Sequence, residues 1–317
     1  MSTEVQRIAS MEGASLLKTS NRRRFNRYAR VQFTNKLFKY IFLFSILMLC
    51  LVLALVIFFI GKTGILTFKD ISFADFFLSM DWTPEEGHFG ALAFILNTLS
   101  LTGITLLIAV PISVGMAFLL VEIAPEWFKQ FVRPVLDLLV GIPSIVYGYL
   151  GLTVLIPLLR EWSGENLGDG LFAAALVLAL MILPTIARVS DEAIAAVPKK
   201  YREAAYALGS TRLQVMMRVV LPAAGRGIVA AIILGMTRAI GETMAVVMVI
   251  GNTAQLATDL FMPTSVLTSN IVMQISNVEF ESTWNYALHM MAFLLLIISF
   301  ILILIIRLMS RKRRQEA

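Results

Sequence analysis

Two charged side chains lie deep inside the apolar stretch at residues 225–250, beyond Arg226 at its start, and these are the residues best suited to chemistry. Arg238 and Glu242 are four residues apart, a spacing that places both on one face of a helix. A charge at the bilayer centre costs about 2.5–3.5 kcal/mol on insertion scales, so both should face protein or water, where they can neutralise each other. The planar guanidinium of Arg238 suits phosphate or sulfate, and Thr237 and Thr243 can add hydroxyl donors. The spacing therefore predicts either an anion pathway, in which Glu242 holds or tunes Arg238, or an internal pair that merely locks two helices.

Long apolar runs are the elements that must position these residues. Of the 317 residues, 58% are hydrophobic and 15% are charged, with a mean hydropathy of +0.81, whereas soluble domains average about 45–50% apolar and about 25% charged residues. A run of about 20 apolar residues spans the hydrocarbon core. The first run is too long for a signal sequence and lacks a cleavage site, so we expect it to be retained. The sequence predicts an all-α membrane protein with six transmembrane helices, at Leu37–Ile60, Ala91–Val121, Val132–Leu159, Leu171–Val189, Gly225–Ile250 and Ala287–Leu308.

The distribution of Lys and Arg predicts how these helices cross the membrane. With the N-terminus inside, 23 of the 27 Lys and Arg residues fall in cytoplasmic segments, and only Lys62, Lys69 and Arg160 fall outside. Because cytoplasmic loops carry an excess of basic residues, both termini are predicted to be cytoplasmic. The outer segment Gly251–Tyr286 is predicted to be either a short helical or re-entrant element against the outer mouth, or a plain connecting loop. The predicted organisation is a basic arm at 1–36, a first transmembrane helix at 37–60, a transmembrane domain at 91–308 with a cytoplasmic loop at 190–222, and a basic tail at 309–317.

The cytoplasmic loop at 190–222 has the capping residues of a folded helical element. Ser190, followed by two acidic residues, is predicted to cap one helix, and a second short helix is predicted at Lys199–Leu208. Gly209 occupies the position where a helix end favours a left-handed residue. A capping box opens a third helix, predicted at Thr211–Pro222, with the proline at its end. A flexible linker would need none of these caps.

The same loop carries residues that resemble the EAA loop of ABC-importer permeases. The matching residues are Glu203, Ala204, Ala205, Gly209, Leu221 and Pro222. The resemblance implies that this loop docks into a groove on a cytoplasmic ATPase, and the small pair Ala204–Ala205 is expected to leave one side of the middle helix bare for close contact. From the residues alone, an ordinary amphipathic loop between two helices is the alternative.

A second resemblance covers roughly residues 85–310 and concerns the substrate. The segment 235–252, with its Gly-Glu-Thr-Met-Ala-Val core, and the segment 141–148, Gly-Ile-Pro-Ser-Ile-Val-Tyr-Gly, are similar to the permeases of the high-affinity phosphate importer, in their PstC-type version. The resemblance implies the type I ABC-importer permease fold, a multi-pass location in the bacterial cytoplasmic (inner) membrane, and a translocation path that includes Arg238 and Glu242.

The resemblance also implies the partners. These are a homologous second permease subunit, a dimer of cytoplasmic ATPases and an extracytoplasmic phosphate-binding protein. ATP and Mg would be bound by the ATPase, and no cofactor by this chain. The only Gly-Lys-Thr triplet, at 61–63, lacks the earlier glycine of a phosphate-binding loop.

Other classes of function find less support in the sequence. One cysteine, Cys50, and two distant histidines, His88 and His289, give no predicted metal site. No arrangement of residues predicts catalysis, and the basic residues flank apolar runs, so no nucleic-acid partner is predicted. The alternatives left open are a permease for another oxyanion, molybdate or sulfate, and an ATP-independent secondary transporter that uses Arg238 and Glu242 as a proton-linked gate.

Overall fold

The computed structural model describes residues 35–163 and 168–312, with side chains at 35–162 and 168–308. By their internal contacts the residues separate after Phe59 into two units. Two predicted segments lie partly outside the described residues. These parts are residues 1–34 of the predicted basic arm at 1–36 and residues 313–317 of the predicted tail at 309–317. Among the described residues, six helices have the length and hydropathy needed to cross a membrane, as predicted: Asn35–Lys69, Leu92–Ile123, Ser144–Trp162, Leu171–Ala195, Arg212–Gly241 and Thr283–Leu308.

The elements follow one another almost without extended structure. Their order is α1 (Asn35–Lys69), α2 (Phe73–Leu78), an antiparallel pair of two-residue strands, β1 (Trp82–Thr83) and β2 (His88–Phe89), α3 (Leu92–Phe118), α4 (Glu126–Gly141), α5 (Ser144–Leu150), α6 (Ile156–Ser163), α7 (Leu171–Ala195), α8 (Lys199–Ala207), α9 (Arg212–Val215), α10 (Leu221–Gly241), α11 (Met244–Val249), α12 (Leu267–Gln274) and α13 (Thr283–Lys312).

Helix α7 is the centre of the second unit, which begins at Ile60. It packs against α3, α10 and α4, and buried residues occur along its whole length. Its run of small residues at 173–175 is buried, as expected where neighbouring helices approach closely. On the facing helix α10, a Cβ added to Gly235 would lie 2.5 Å from Cδ1 of Ile186. The absence of a side chain at Gly235 therefore lets α7 and α10 approach closely.

Wide π-helical turns precede three of the prolines in the described part of the chain. Within the described residues three such segments occur, Leu119–Ile123, Gly151–Leu155 and Met216–Val220, and each is followed two residues later by a proline. In the last segment the Leu221 N–H donates to the carbonyl of Met216, which moves the chain past Pro222 without the clash that a proline causes inside an α-helix. The predicted helix end at Pro222 is therefore wrong, since the helix runs unbroken from Arg212 to Gly241.

Two predicted transmembrane helices are broken in the structure. The run 132–159 divides at Ile142, whose backbone is extended (ψ 128°), because the proline that follows disfavours the helical conformation. The run 225–250 divides at Glu242, which is also extended (ψ 133°). The N-cap predicted at Ser190 is wrong as well, because α7 continues through this buried serine to Ala195.

The segment Gly251–Tyr286, predicted to lie on the outer side, is a packed element and not a plain connecting loop. Helix α12 buries its first four residues, and the chain before it is held by Asn97 of α3. The Asn97 amide nitrogen donates to the carbonyls of Gln255 and Ser265, each at 2.9 Å, and its oxygen accepts from the Ala257 N–H at 3.0 Å. A buried amide that satisfies both its donors and its acceptor fixes the segment in one position.

Candidate functional site

Arg238 lies in the last turn of α10 and faces the central helix. Its side chain is half-buried, and Nη1 donates a hydrogen bond of 3.2 Å to Oγ1 of Thr185 on α7. The phenol of Tyr147 on α5 lies within Coulombic range of the same guanidinium. Among the described carboxylates, none forms an ion pair with Arg238. The predicted Arg238–Glu242 pair is therefore wrong.

The helix break explains why these two residues do not meet. The four-residue spacing places side chains on one face only in a continuous helix, but α10 ends at Gly241. The Glu242 side chain turns instead toward α11, where Oε1 accepts from the Ala245 N–H at 3.3 Å. Its backbone carbonyl accepts from Thr268 Oγ1 of α12 at 3.1 Å. Glu242 thus stabilises the start of α11 and links the break to α12.

Gly241 and two threonines surround the break at the end of α10. Gly241 is exposed, and an added Cβ there would meet no atom within 4 Å, so it does not bring a neighbouring helix close. Thr237 Oγ1 donates to the Ile233 carbonyl at 2.6 Å, on the face of α10 that borders α13. Thr243 Oγ1 lies 3.3 Å from the Gly241 carbonyl, to which it donates. Both hydroxyls donate to the backbone in this conformation, and Thr185 is the hydroxyl that reaches Arg238.

Three of the EAA residues, Glu203, Ala204 and Ala205, lie on α8, and Gly209 lies in the turn after it, as the sequence predicts. Leu221 and Pro222 are the first two residues of α10. Gly209 has a positive φ of 79° and ends the helix, with the Ser210 N–H donating to the Ala205 carbonyl at 3.2 Å. The capping box that opens at Thr211 is present. Glu203 is exposed, whereas Ala205 is buried against the hydrophobic cluster beneath α8. Ala204 is exposed, so the two alanines face different surroundings and do not form the single bare side that we expected.

Arg202 is a functional candidate that sequence reasoning missed. It precedes the EAA residues, and its guanidinium Nη2 lies 2.8 Å from Oε1 of Glu122, in the π-helical turn that extends α3. The two side chains are only 15% and 10% exposed. The guanidinium also donates to the carbonyls of Ile194, at 3.0 Å, and of Val197. A buried, multiply bonded arginine therefore attaches α8 to the ends of both α3 and α7.

A second ionic network stands beside this contact. Asp191, near the end of α7, is 2% exposed, and Arg133 of α4 contacts both of its carboxylate oxygens, with Nη2 donating to Oδ1 at 3.1 Å and Nε lying 3.0 Å from Oδ2. Arg188 lies 3.4 Å from Oδ2 of Asp191 and 3.0 Å from Oδ1 of Asp137 on α4. The buried carboxylate of Asp191 lies between two arginines and fixes α4 against α7. Removing the carboxylate, or the arginines, would leave the remaining charge uncompensated.

The chain matches known proteins over most of its length. The family model for "Binding-protein-dependent transport system inner membrane component" matches residues 109–315. The probable ABC transporter permease protein YqgH of Bacillus subtilis is 41% identical over 81% of this chain and 84% of its own length. The phosphate transport system permease proteins PstC of Xylella fastidiosa and Haemophilus influenzae are each 39% identical over 76% of this chain, and over 80% and 82% of their own lengths.

Solved structures show the same fold. A chain of the MetNI methionine ABC transporter, in an inward-facing conformation, superposes with a TM-score of 0.56 at 22% identity, over 70% of this chain and 95% of that chain. A chain of a bacterial alginate ABC transporter, solved with a periplasmic protein, superposes with a TM-score of 0.58 at 17% identity, over 85% of this chain and 94% of that chain. At these identities the likeness concerns the fold alone.

Proposed function

Because the chain belongs to the family of binding-protein-dependent transport system inner membrane components, and is thus a multi-pass permease subunit of an ABC importer and not an enzyme, we propose that its substrate is inorganic phosphate. The observation that carries the proposal is Arg238, a cation in a membrane-crossing helix whose only described side-chain partner is a neutral hydroxyl. The similarity to PstC proteins, which are named phosphate transport permeases, supports the same substrate.

The chemistry of Arg238 fits a dehydrated oxyanion. A guanidinium has five N–H donors in a planar fork, and only Nη1 is directed at Thr185. The remaining donors match the paired oxygens of phosphate. A half-buried cation without a carboxylate partner is stabilised when an anion arrives, and it releases the anion when the local geometry changes. In this proposal Arg238 binds the anion, Thr185 orients Arg238, and Thr237, Glu242 and Thr243 border the path at the end of α10.

The coupling of transport to ATP is proposed to run through α8. Its outward-facing residues Glu203 and Ala204, with Gly209 at the end of the helix, form the surface offered to the ATPase. Ala205 and Leu221 pack in the hydrophobic cluster beneath α8 and support this surface from the bundle side, and the exposed Pro222 follows Leu221 in α10. The orientation inferred from basic residues places both termini and α8 in the cytoplasm, where two ATPase copies with ATP and Mg would act. A homologous second permease would complete the pore, and an extracytoplasmic phosphate-binding protein would deliver the anion.

The alternative substrates are other tetrahedral oxyanions, molybdate and sulfate, which a guanidinium binds through the same hydrogen bonds. They are separated by measuring uptake of labelled phosphate into cells that express the full transporter, in competition with unlabelled phosphate, sulfate or molybdate. We expect competition by unlabelled phosphate only. Competition by sulfate or molybdate at equal concentration would assign the path to another oxyanion.

The same cells distinguish an importer from a secondary transporter. An ATP-driven importer stops when the catalytic site of its ATPase is inactivated, whereas a proton-linked gate at Arg238 would continue as long as a proton gradient persists. We expect uptake to cease in cells with an inactive ATPase and an intact proton gradient. Continued uptake under those conditions would favour the secondary transporter.

A further inference from the structure

A groove between α10 and α13 shares only Thr237 with the residues of the proposed transport path. Its volume is about 430 Å³, and it lies on the face of α10 turned away from Thr185. Its walls are mostly apolar, and two arginines stand among them. The lining residues are Arg226, Val229, Ala230, Ile233, Leu234, Thr237, Ile303 and Arg307.

The two arginines are the unusual feature of this groove. Arg226 and Arg307 are exposed, no acidic residue lines the groove with them, and no described side chain forms an ion pair or hydrogen bond with either of them. A cavity of similar size, about 460 Å³, lies beside α8, but Glu122, Glu126 and Glu203 line it, and its Arg202 and Lys129 are paired with Glu122 and Glu126. The groove between α10 and α13 differs from this cavity because no carboxylate lines it beside its arginines.

The position of the groove identifies the chemistry of its occupant. Both walls are formed by helices long and apolar enough to cross a membrane, so the groove opens where lipid chains would lie. An occupant must therefore be apolar along Val229, Ile233 and Ile303, and anionic beside Arg226 and Arg307. Basic pockets between transmembrane helices are known to suit anionic lipid headgroups.

We infer that this groove binds an anionic phospholipid. The headgroup phosphate lies between the guanidinium groups of Arg226 and Arg307, and an acyl chain lies along the apolar wall toward Thr237. The Thr237 hydroxyl donates to its own helix, so this end of the groove presents little unsatisfied polarity to an acyl chain. The inference rests on the proposed function only for the leaflet, which is the inner one if α8 is cytoplasmic.

The test uses the full chain, purified with its associated subunits and reconstituted in phosphatidylcholine nanodiscs. Binding of fluorescent phosphatidylglycerol is titrated for the wild type, for the double variant Arg226→Gln/Arg307→Gln, and for Arg218→Gln. Arg218 is exposed in the same half of the helix but does not line the groove, so it controls for a general loss of positive charge. We expect an affinity loss of about tenfold or more for the double variant, because two charge-assisted contacts to phosphate are removed, and no change for Arg218→Gln.

A third variant tests the apolar wall separately. Ala230 is exposed in the groove, so Ala230→Trp fills it while both arginines remain, and we expect bound phosphatidylglycerol to be lost in a protein that elutes and melts normally. Unchanged binding in the double variant, equal weakening in Arg218→Gln, or full binding in Ala230→Trp would each overturn the inference. So would displacement of the lipid by inorganic phosphate, which would mark a site for free anions. Because the readout is lipid binding, its outcome is independent of whether the chain transports phosphate.

Discussion

The Arg238 guanidinium is held by the Thr185 hydroxyl, with Nη1 and Oγ1 3.2 Å apart across the contact between α10 and α7. This hydrogen bond joins a candidate anion-binding residue to the most buried helix of the bundle. It leaves the positive charge uncompensated, because a hydroxyl offers a dipole and not a negative charge. The orientation of Arg238 therefore depends on the packing of α10 against α7, and any movement between these helices would change the donors available to an anion.

Thr185→Val should raise the KM for phosphate uptake while leaving the maximal rate and the protein level close to those of the wild type. Valine has the shape of threonine without the hydroxyl, so the variant removes the acceptor that orients Arg238. A hydrogen bond to a charged group is worth about 1.5–3 kcal/mol, which corresponds to an increase of about tenfold or more. Uptake kinetics in cells measure the effect.

Thr153→Val is the matched control, since the Thr153 hydroxyl donates only to the Tyr149 carbonyl at an exposed position. An equal rise in the KM of both variants would argue against the positioning role of Thr185.

Glu242→Gln and Glu242→Ala should differ, because Glu242 supports the start of α11 and does not pair with Arg238. Glutamine keeps an acceptor for the Ala245 N–H, so uptake should stay within about twofold of the wild type, whereas alanine loses this cap at a cost of about 1 kcal/mol. Thermal melting of the purified protein and uptake in cells measure the two effects. Loss of uptake in Glu242→Gln as complete as in Arg238→Ala would mean that the carboxylate charge itself is required.

Glu122→Gln should uncouple ATP hydrolysis from transport without releasing the ATPase. The substitution removes the charge that holds Arg202, which weakens the link from α8 to α3, while the exposed residues of α8 are unchanged. We expect phosphate uptake per ATP hydrolysed to fall about tenfold or more, in line with the loss of one charge-assisted contact. The measurement is uptake and ATP hydrolysis in proteoliposomes that contain the whole transporter.

Glu126→Gln is the control for this prediction. Glu126 lines the same cavity and contacts Lys129 at 2.8 Å, and this contact lowers the pKa of the Glu126 carboxyl, but its side chain is 78% exposed. Exposed pairs contribute little, so coupling should be unaffected. If both variants lowered the coupling ratio equally, the cause would be the charge of the cavity and not the contact between Arg202 and Glu122.

Substitutions at Gly209 should separate a backbone effect from a surface effect. With φ at 79°, Gly209→Ala places a side chain in left-handed conformation at a cost of about 1–2 kcal/mol, although no atom lies within 4 Å of the added Cβ. Gly209→Asn fits this conformation better and adds a side chain to the proposed ATPase surface. We expect Gly209→Ala to lower the melting temperature, and Gly209→Asn to reduce copurification of the ATPase at near-normal stability.

Gly225→Ala is the control for the backbone effect. Its added Cβ also meets no atom within 4 Å, but Gly225 lies inside helix α10, so this substitution should be neutral or slightly stabilising. Normal copurification of the ATPase with Gly209→Asn would contradict the docking role of this turn.

The features that could be predicted from the sequence are those determined locally. Apolar length determines the six spans, and the cap residues Gly209 and Thr211 determine the turn and the helix start that follow α8, because each acts on its own backbone. The interruption at Glu242 could not be predicted, since the hydropathy of the segment remains high on both sides of it. The extended backbone there is supported by Thr268 of α12, which lies 26 residues further along the chain.

The remaining differences come from long-range partners. Arg202 and Glu122 are separated by 80 residues, so the basic residue before the EAA motif carries no local signal of its role. Thr185 lies inside an apolar run and becomes a candidate only when α7 and α10 are seen to pack together. The helix continues past Pro222 because a π-helical turn precedes it, and a proline in a sequence does not reveal whether the preceding turn has widened.

Uptake of phosphate by cells that carry Arg238→Ala in the full transporter tests the central proposal most directly. If Arg238 binds the anion, uptake should fall at least tenfold at normal protein level, with the ATPase still copurifying, because alanine removes every guanidinium donor from the path. Uptake at the wild-type rate, with normal amounts of the protein in the membrane, would contradict the account.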